Sequence, residues 1–406
     1  MNFEIPTTMT MIERIQQHSN ELHETIRGFR RHLHMNPELS YEEFETSKFI
    51  QQQLSAWGIP FETGFANTGI VALIKGELPG ERVVALRGDM DALPILEAND
   101  VPYKSTKPGV MHACGHDVHT SCLLGAARIL QLEKAHFGGT VKLVFQPAEE
   151  RLPGGASLMI KDGVLENPKP EYMIGQHVMP LIPAGKIGIR EGKYMASADE
   201  IDLWVRGKGG HGAMPNLNVD PIVIASHLIV AAQQLVSRFA NPSIPSVLSF
   251  GKIEGKGVYN VIPDEVYIQG TFRTMDEAWR AEAHAKLTKL LEGMAESMGG
   301  SCEVKINRGY PFLVNDEALT RRIRKNAVDY LGEENVIDLD IWMAAEDFAY
   351  YSQAMPSCFY RLGTRNEERG ITSSVHTPTF DVEESALPIG MGLMAYNAIS
   401  ELSLSE

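Results

Sequence analysis

Apolar residues recur at helical spacing over residues 10–34 and 42–57; Asn36-Pro37 interrupts the pattern and Gly58 ends it. Two strand-like runs follow, GIVALIKG near 69–76 and RVVALRG near 82–88, and the second leads directly into DMDALP. A helix is predicted from His119 to Leu132, after the CGHD loop. VKLVF at 141–145 and YMIG at 172–175 read as buried strands. Strands and helices that alternate in this way predict an α/β fold with a mostly parallel sheet covered by helices.

Near residue 193 the pattern changes. IDLWVRG alternates as a half-exposed strand, and a long helix is predicted from Asp220-Pro221 to Phe239. SVLSFGKIEG and EVYIQGTFR are further alternating strands. A second long helix spans about 276–298, and CEVKINRG ends the series. Strand–helix–strand–strand–helix–strand is the ferredoxin-like, split βαβ arrangement. Residues 193–307 therefore read as an inserted α+β domain. After 308 the first pattern returns, with a helix near 316–331, the strand SCFYRLG and a final helix from about 384. Residues 1–192 and 308–406 are expected to form one discontinuous domain.

Length and composition narrow the class. The chain has 406 residues, 44% hydrophobic and 22% charged, with a formal net charge of −15. Such a length implies two or three domains. No run of Lys or Arg could track a phosphate backbone, so nucleic acid is not an expected partner. The N-terminal segment lacks a basic stretch followed by an apolar run, and no stretch approaches the roughly 20 apolar residues of a membrane span. Cys114, Cys122, Cys302 and Cys358 are far apart and form no CxxC pair. They read as reduced thiols, and the expected setting is cytoplasmic without a membrane partner.

The candidate chemistry lies in five scattered residues: Cys114 and His116 in MHACGHDVHT, Glu150 in VFQPAEE, His177 in IGQHVMP and His376 in SVHTPTF. Most lie where strands pass into loops, the end of an open α/β sheet that carries chemistry. Thiolate, imidazole and carboxylate together suit zinc, manganese, cobalt or nickel. His376 must return to the other four, which makes the first domain discontinuous. Glu149 is a second carboxylate beside Glu150. One of the two can bind metal while its neighbour serves as a base toward the attacking water. Asp91, just past a strand, fits a residue that orients a ligand imidazole. His112 and His119 read either as such supports or as solvated loop residues. Cys122, Cys302 and Cys358 fit core packing.

The string GKGGHG around His211 matches GxGxxG by letter. A dinucleotide site would need a helix to begin in the third turn and an acidic residue about 20 positions on. Here the loop continues through Asn216, and residues 222–235 contain no Asp or Glu. Asn260 and Arg273, taken alone, read as a turn residue and a solvated strand end.

With these strings in place, the chain resembles the M20 metallopeptidase family, and within it the amidohydrolase branch of hippurate hydrolases, N-acyl-amino-acid amidohydrolases and auxin-conjugate hydrolases. The resemblance runs from FRRHLHMNPELSYEE through LRGDMDALP, MHACGHDVHT, VFQPAEE, GHGAMP, VYNVIPDE, FRT and AEDF to HTPTFD. A cysteine at 114, where the wider family usually has Asp, points to that branch. One departure is AAEDF at 344–348, where relatives often have Ser or Gly before the Glu. The resemblance implies a two-metal site of Cys114, His116, Glu150, His177 and His376, with Glu149 as general base. It also implies that the insert is a lid and dimerisation domain, giving a homodimer. His211 would polarise the scissile carbonyl, in its own or the partner's site, and Asn260 and Arg273 would bind the substrate carboxylate. The implied reaction is hydrolysis of a small N-acyl-amino acid to a carboxylic acid and a free amino acid. The rival readings are a dipeptidase or carboxypeptidase on the same scaffold, and a catalytically silent metal-binding scaffold protein.

Overall fold

The computed structural model describes residues 9–404, and two units, each with its own sheet, can be told apart. The first unit holds the chain up to Gly192, Val314–Asp340 and the chain from Tyr350 onward. The second holds Lys193–Leu313 and Ile341–Ala349. Residues 308–313 and 341–349, assigned to the first domain from sequence, cluster with the second unit.

In the first unit eight strands lie in the order Phe61–Phe65, Gly69–Lys75, Gly138–Gln146, Leu78–Asp89, Tyr172–Pro183, Ser357–Arg365, Ile187–Ile189 and Val336–Asp338. The four central strands from Gly138–Gln146 to Ser357–Arg365 are mutually parallel. Both flanks bring in antiparallel pairs, at Phe61–Phe65 with Gly69–Lys75, at Gly69–Lys75 with Gly138–Gln146, and at Ser357–Arg365 with Ile187–Ile189. The mostly parallel expectation therefore holds at the centre; of the antiparallel pairs only Phe61–Phe65 with Gly69–Lys75 is joined by a short turn, and the other two bring together strands distant in sequence. The central strands bury nearly every side chain, as strands covered on both faces must. Helices Met11–Met35, His116–Glu133 and Ala386–Leu402 pack against one another over this sheet.

The helix predicted from His119 begins three residues earlier, at His116. Gly115 makes this possible. Its φ is +84°, and a Cβ there would lie 2.5 Å from Val178 Cγ2. Only glycine combines that left-handed turn with so close a neighbour. The chain thus passes from Cys114 into the first helical turn at His116 with no intervening loop.

The second unit carries four antiparallel strands in the order Ser246–Gly255, Glu265–Thr274, Asp199–Arg206 and Ser301–Arg308. That is the ferredoxin-like order. Helices Pro221–Ala232 and Glu277–Ser297 cover one face, and Ile201, Leu203, Val205, Ile268 and Phe272 meet Ile224, Leu228, Leu287 and Leu291 in its core. Asp220 and Asp276 cap the two helices, their side chains accepting first-turn amides. The predicted single helix to Phe239 ends its regular α turns at Ala232 and closes in a π-helical turn, Leu235–Phe239. The helical stretch Pro221–Phe239 is long and apolar enough, by length and composition alone, to cross a membrane, as the core helix of a globular unit also can be. Ser226, His227, Gln233, Gln234, Ser237 and Arg238 break its apolar run and hide it from a search for unbroken apolar residues. Its inner face is core of this unit.

Candidate metal centre

Four separate elements deliver the five candidate ligands. Cys114 and His116 flank Gly115 at the start of the His116–Glu133 helix. Glu149 and Glu150 occupy the turn after the Gly138–Gln146 strand. His177 lies on the Tyr172–Pro183 strand, beyond the Arg87–Gly175 pair where its ladder with the Leu78–Asp89 strand ends. His376 lies in the loop before the last helix. Its φ of +62° is held by its own N–H, which donates to the Ala113 carbonyl at 2.8 Å. Its side chain is 51% exposed, whereas Cys114, His116 and His177 are buried.

The donor atoms converge. Cys114 Sγ is 3.4 Å from His177 Nε2 and 3.3 Å from His376 Nε2. Glu150 Oε1 is 3.0 Å from His376 Nε2 and 3.9 Å from His116 Nε2. Ligands bound at about 2.0–2.3 Å to one ion lie roughly 3.3–3.8 Å apart across a tetrahedral edge, so the two Cys114 spacings fit a shared cation, and the Glu150 spacings fall just either side of that range. Cys114, His116 and His177 form one triad, and Cys114, Glu150 and His376 form another. Cys114 is common to both. His116, Glu149 and Glu150 form a further group with oxygens and nitrogen in mutual reach.

Hydrogen bonding separates candidate ligands from supports. His116 Nδ1 is 3.2 Å from Asp91 Oδ1, while its buried Nε2 has no hydrogen-bond partner. Buried Glu150 Oε1 makes no hydrogen bond either, its 3.0 Å contact with His376 Nε2 lacking hydrogen-bond geometry. Buried polar atoms left in this state are costly unless something pairs with them, and a cation would. His177 Nδ1 donates to the Val178 carbonyl at 2.7 Å, which turns Nε2 toward Cys114. His119 differs. Its Nδ1 pairs with Asp89 Oδ1 at 2.5 Å, and its Nε2 accepts the Val178 N–H at 2.8 Å. Both nitrogens are taken, so His119 props up the strand that bears His177. Sequence alone left this open. Asp89, which also pairs with Arg87 at 2.6 Å, has the same supporting character.

Asp91 accepts from Ser40 as well as from the Glu149 and Glu150 amides, so it touches His116 and the acidic turn together. A network with no clear sequence signal anchors the helix start. Buried Arg30 donates to Asp117 Oδ2 at 2.9 Å, and His34 Nδ1 meets the same oxygen at 2.8 Å. Burial works against the Asp117 charge, yet Arg30 and His34 hold its pKa well below the carboxylate range. His112 is buried, and neither of its ring nitrogens has a hydrogen-bond partner. Burial lowers its pKa to about 4.

The electrostatics suit a cation. Burial, with Glu150, Glu149 and Asp89 nearby, pushes the Cys114 thiol well above its usual range. Burial alone would lower His116, but Asp89, Asp91 and Glu150 raise it to about 10. Burial and the Arg361 charge keep His177 neutral. Concentrated carboxylate charge of this kind is what a divalent ion neutralises.

The residues singled out in the second unit fall into two places. His211 and Val261 pair across a two-stranded ladder, and Gly212 N–H donates to the Asn260 carbonyl at 2.9 Å, so His211 and Asn260 are neighbours. Arg273 lies elsewhere in the unit, on the Glu265–Thr274 strand, half-buried, with Nε donating to Thr271 Oγ1 at 3.2 Å. Cys122, Cys302 and Cys358 are buried and unpaired.

Residues 85–399 match the model of peptidase family M20/M25/M40. The chain is 42% identical over 360 residues to an N-acetyl-L-cysteine deacetylase of Bacillus subtilis, covering 89% of this chain and 84% of that protein. It is 38% identical over 385 residues to thermostable carboxypeptidase 2 of Saccharolobus solfataricus, covering 94% and 96%. A crystal structure of a Bacillus subtilis protein, described as a dinuclear metal-binding peptidase of the M20 family, superposes with a TM-score of 0.81. The identity there is 33%, over 94% of this chain and 99% of that one.

Proposed function

The chain belongs to peptidase family M20/M25/M40 and is a metal-dependent amidohydrolase; from that premise we propose that it hydrolyses the amide bond of small N-acyl-amino acids. The observation that carries this reading is the pair of triads that share Cys114, with Glu149 adjoining them. In this reading Cys114, His116, Glu150, His177 and His376 hold two divalent ions, with zinc, manganese, cobalt and nickel all compatible with the donors. When bound, such ions supply Lewis-acid polarisation of the amide carbonyl and make water a stronger acid.

The remaining steps belong to the side chains. Glu149 takes a proton from the water as its oxygen bonds to the amide carbon. It returns the proton to the nitrogen as the C–N bond breaks, releasing a carboxylic acid and a free amino acid. Asp91 keeps His116 in one tautomer and orientation. The family resemblance assigns His211 to the developing oxyanion, and Asn260 and Arg273 to the substrate carboxylate, which a guanidinium can grip with two hydrogen bonds.

We extend the proposal to a homodimer through the second unit. The Ser246–Gly255 strand is an edge strand, with Val247 and Ile253 exposed. The helical stretch packed near it exposes Ile222, Val223, Val230 and Phe239. An apolar helix face beside an open strand edge is what a symmetric partner covers. Four buried, unpaired cysteines support a reducing, cytoplasmic setting.

A carboxypeptidase or dipeptidase on the same scaffold is the second reading, favoured by the carboxypeptidase relative. A panel of acetyl-, benzoyl- and indoleacetyl-amino acids against free-amine dipeptides, each with several metals, separates the two. Turnover of acylated amino acids alone is expected. Preference for free-amine dipeptides would overturn the N-acyl assignment.

A further inference from the structure

The segment NPELSYEE, residues 36–43, has no task in the chemistry above. It lies against the turn that carries Glu149 and Glu150. Three successive amides of that turn each donate to a buried carboxylate. Ala148 N–H reaches Glu43 Oε1 at 2.9 Å, and Glu149 and Glu150 N–H reach Asp91 Oδ1 and Oδ2 at 3.0 Å each. Glu43 is fully buried. Its Oε1 also accepts the Tyr41 N–H at 3.0 Å, and its Oε2 accepts the Thr68 hydroxyl at 2.8 Å. Ser40 donates to Asp91 Oδ2 at 2.6 Å. Residues 40 and 43 thus reach the same turn from one short stretch, one through Asp91 and one directly.

The turn needs this grip. Ala148 leaves the strand at φ +52°, a left-handed conformation that a residue with a Cβ adopts reluctantly. Glu43 Oε1 accepts the Ala148 and Tyr41 amides together, and these hydrogen bonds can offset that cost. The direction of the Ala148 amide in turn sets where the next two side chains leave the backbone. A displacement of about 1 Å at such a point can lower turnover by about 10²-fold.

We propose that Glu43, assisted by Ser40, is a positioning residue that aims Glu149 at the attacking water and Glu150 at its ion by fixing the 148–150 backbone. The inference rests on the reading of Glu149 as general base. Glu43 acts only through the backbone and touches neither substrate nor ion.

The test compares Glu43→Ala, Glu43→Gln and Glu149→Gln in the full chain, loaded with zinc or manganese and assayed on an N-acetyl-amino acid that the parent turns over. Hydrogen exchange of the peptide covering residues 146–151 is the readout independent of turnover. Glu43→Ala should speed exchange of the 148–150 amides by about tenfold, the loss expected from one buried hydrogen bond. It should lower kcat per folded, metal-loaded molecule by about 10–100-fold, the usual effect of losing a supporting residue behind a metal site. KM should stay within about twofold, since substrate binding is untouched. Glu43→Gln should restore both values, because its amide oxygen still accepts the two N–H groups and the Thr68 hydroxyl can turn to accept the new NH₂. Unchanged exchange and kcat in Glu43→Ala, or Glu43→Gln as impaired as Glu43→Ala, would overturn the proposal. If Glu43→Ala does not fold, Thr68→Val removes only the bond to Oε2. A smaller rise in exchange with a smaller loss of kcat is then expected, and no change in either overturns the idea. Near-normal turnover by Glu149→Gln would instead sink the base assignment, while the exchange data still decide whether Glu43 holds the turn.

Discussion

Glu149 and Glu150 adjoin in the chain, and the proposed scheme gives them different work. Glu150 Oε1 points among His116 and His376, and both amides are tied to Asp91. Glu149→Gln keeps the shape of the turn and removes the proposed proton acceptor. Turnover should fall by roughly 10²–10⁴ with metal content unchanged, as read by steady-state kinetics beside elemental analysis. Cys114→Ala should do the opposite first, lowering metal content because both triads lose their common member. Full metal loading with normal turnover would reduce Cys114 to a packing residue. Arg273 belongs to recognition in the proposed scheme. Burial draws its pKa down from the usual value, with Asp199 opposing, as expected for a half-buried guanidinium. Arg273→Ala should raise KM and lower kcat/KM for N-acyl-amino acids, and matter much less for a matched substrate whose carboxylate is converted to an amide. Equal losses on both substrates would show that Arg273 supports the fold.

At the scale of elements, the second unit is locked by one acid at a strand start. Asp199 pairs with Arg280 at 2.5 Å and with His284 at 2.6 Å, and accepts the Gly309 N–H at 3.2 Å. These contacts tie the Glu277–Ser297 helix to the first strand and to the end of the last. Burial alone would raise the Asp199 carboxyl, but hydrogen bonds from His284 and Arg280 hold it below its ordinary value. A carboxyl lowered in the folded state contributes stability that is fully present above its unfolded pKa, about 3.9, and lost as pH falls through the folded value. The urea midpoint of the parent should therefore exceed that of Asp199→Asn at neutral pH, and the gap should shrink below about pH 4. A constant gap across that range would mean that the stabilisation does not depend on the Asp199 charge.

At the scale of the whole molecule, the apolar outer face of the second unit is the feature most in need of a partner. Val230 is 72% exposed on a helix whose opposite side is core. Val230→Lys should leave the monomer fold intact, since exposed substitutions usually shift stability by no more than about 0.5 kcal/mol. It should convert a dimer to a monomer in sedimentation velocity. A parent that sediments as a monomer at micromolar concentration would sink the dimer proposal.

Much of the fold was legible because hydrophobic period is a local property. The buried runs VKLVF and SCFYRLG and the amphipathic helices announce themselves within ten or twenty residues. The family strings did the same for the candidate ligands, since Cys, His and Glu beside Gly and Pro in loops have few structural uses. What the chain could not disclose by itself was pairing. The antiparallel flanks of the first sheet depend on which strand finds which edge. The start of the helix at His116 depends on Gly115 meeting Val178, 63 residues away in sequence by subtraction of their numbers. In the sequence His116 reads as a candidate ligand, and His119 as either a support or a solvated loop residue. Only the folded chain shows that one has a bare Nε2 facing Glu150 and the other has both nitrogens engaged. The same holds for Glu43, an ordinary acid in an acidic stretch until Ala148 is brought to it. Residue type sets what a side chain can do, and that is written locally. Which of its atoms remain unsatisfied is settled by contacts distant in sequence, and that is left to the tertiary structure.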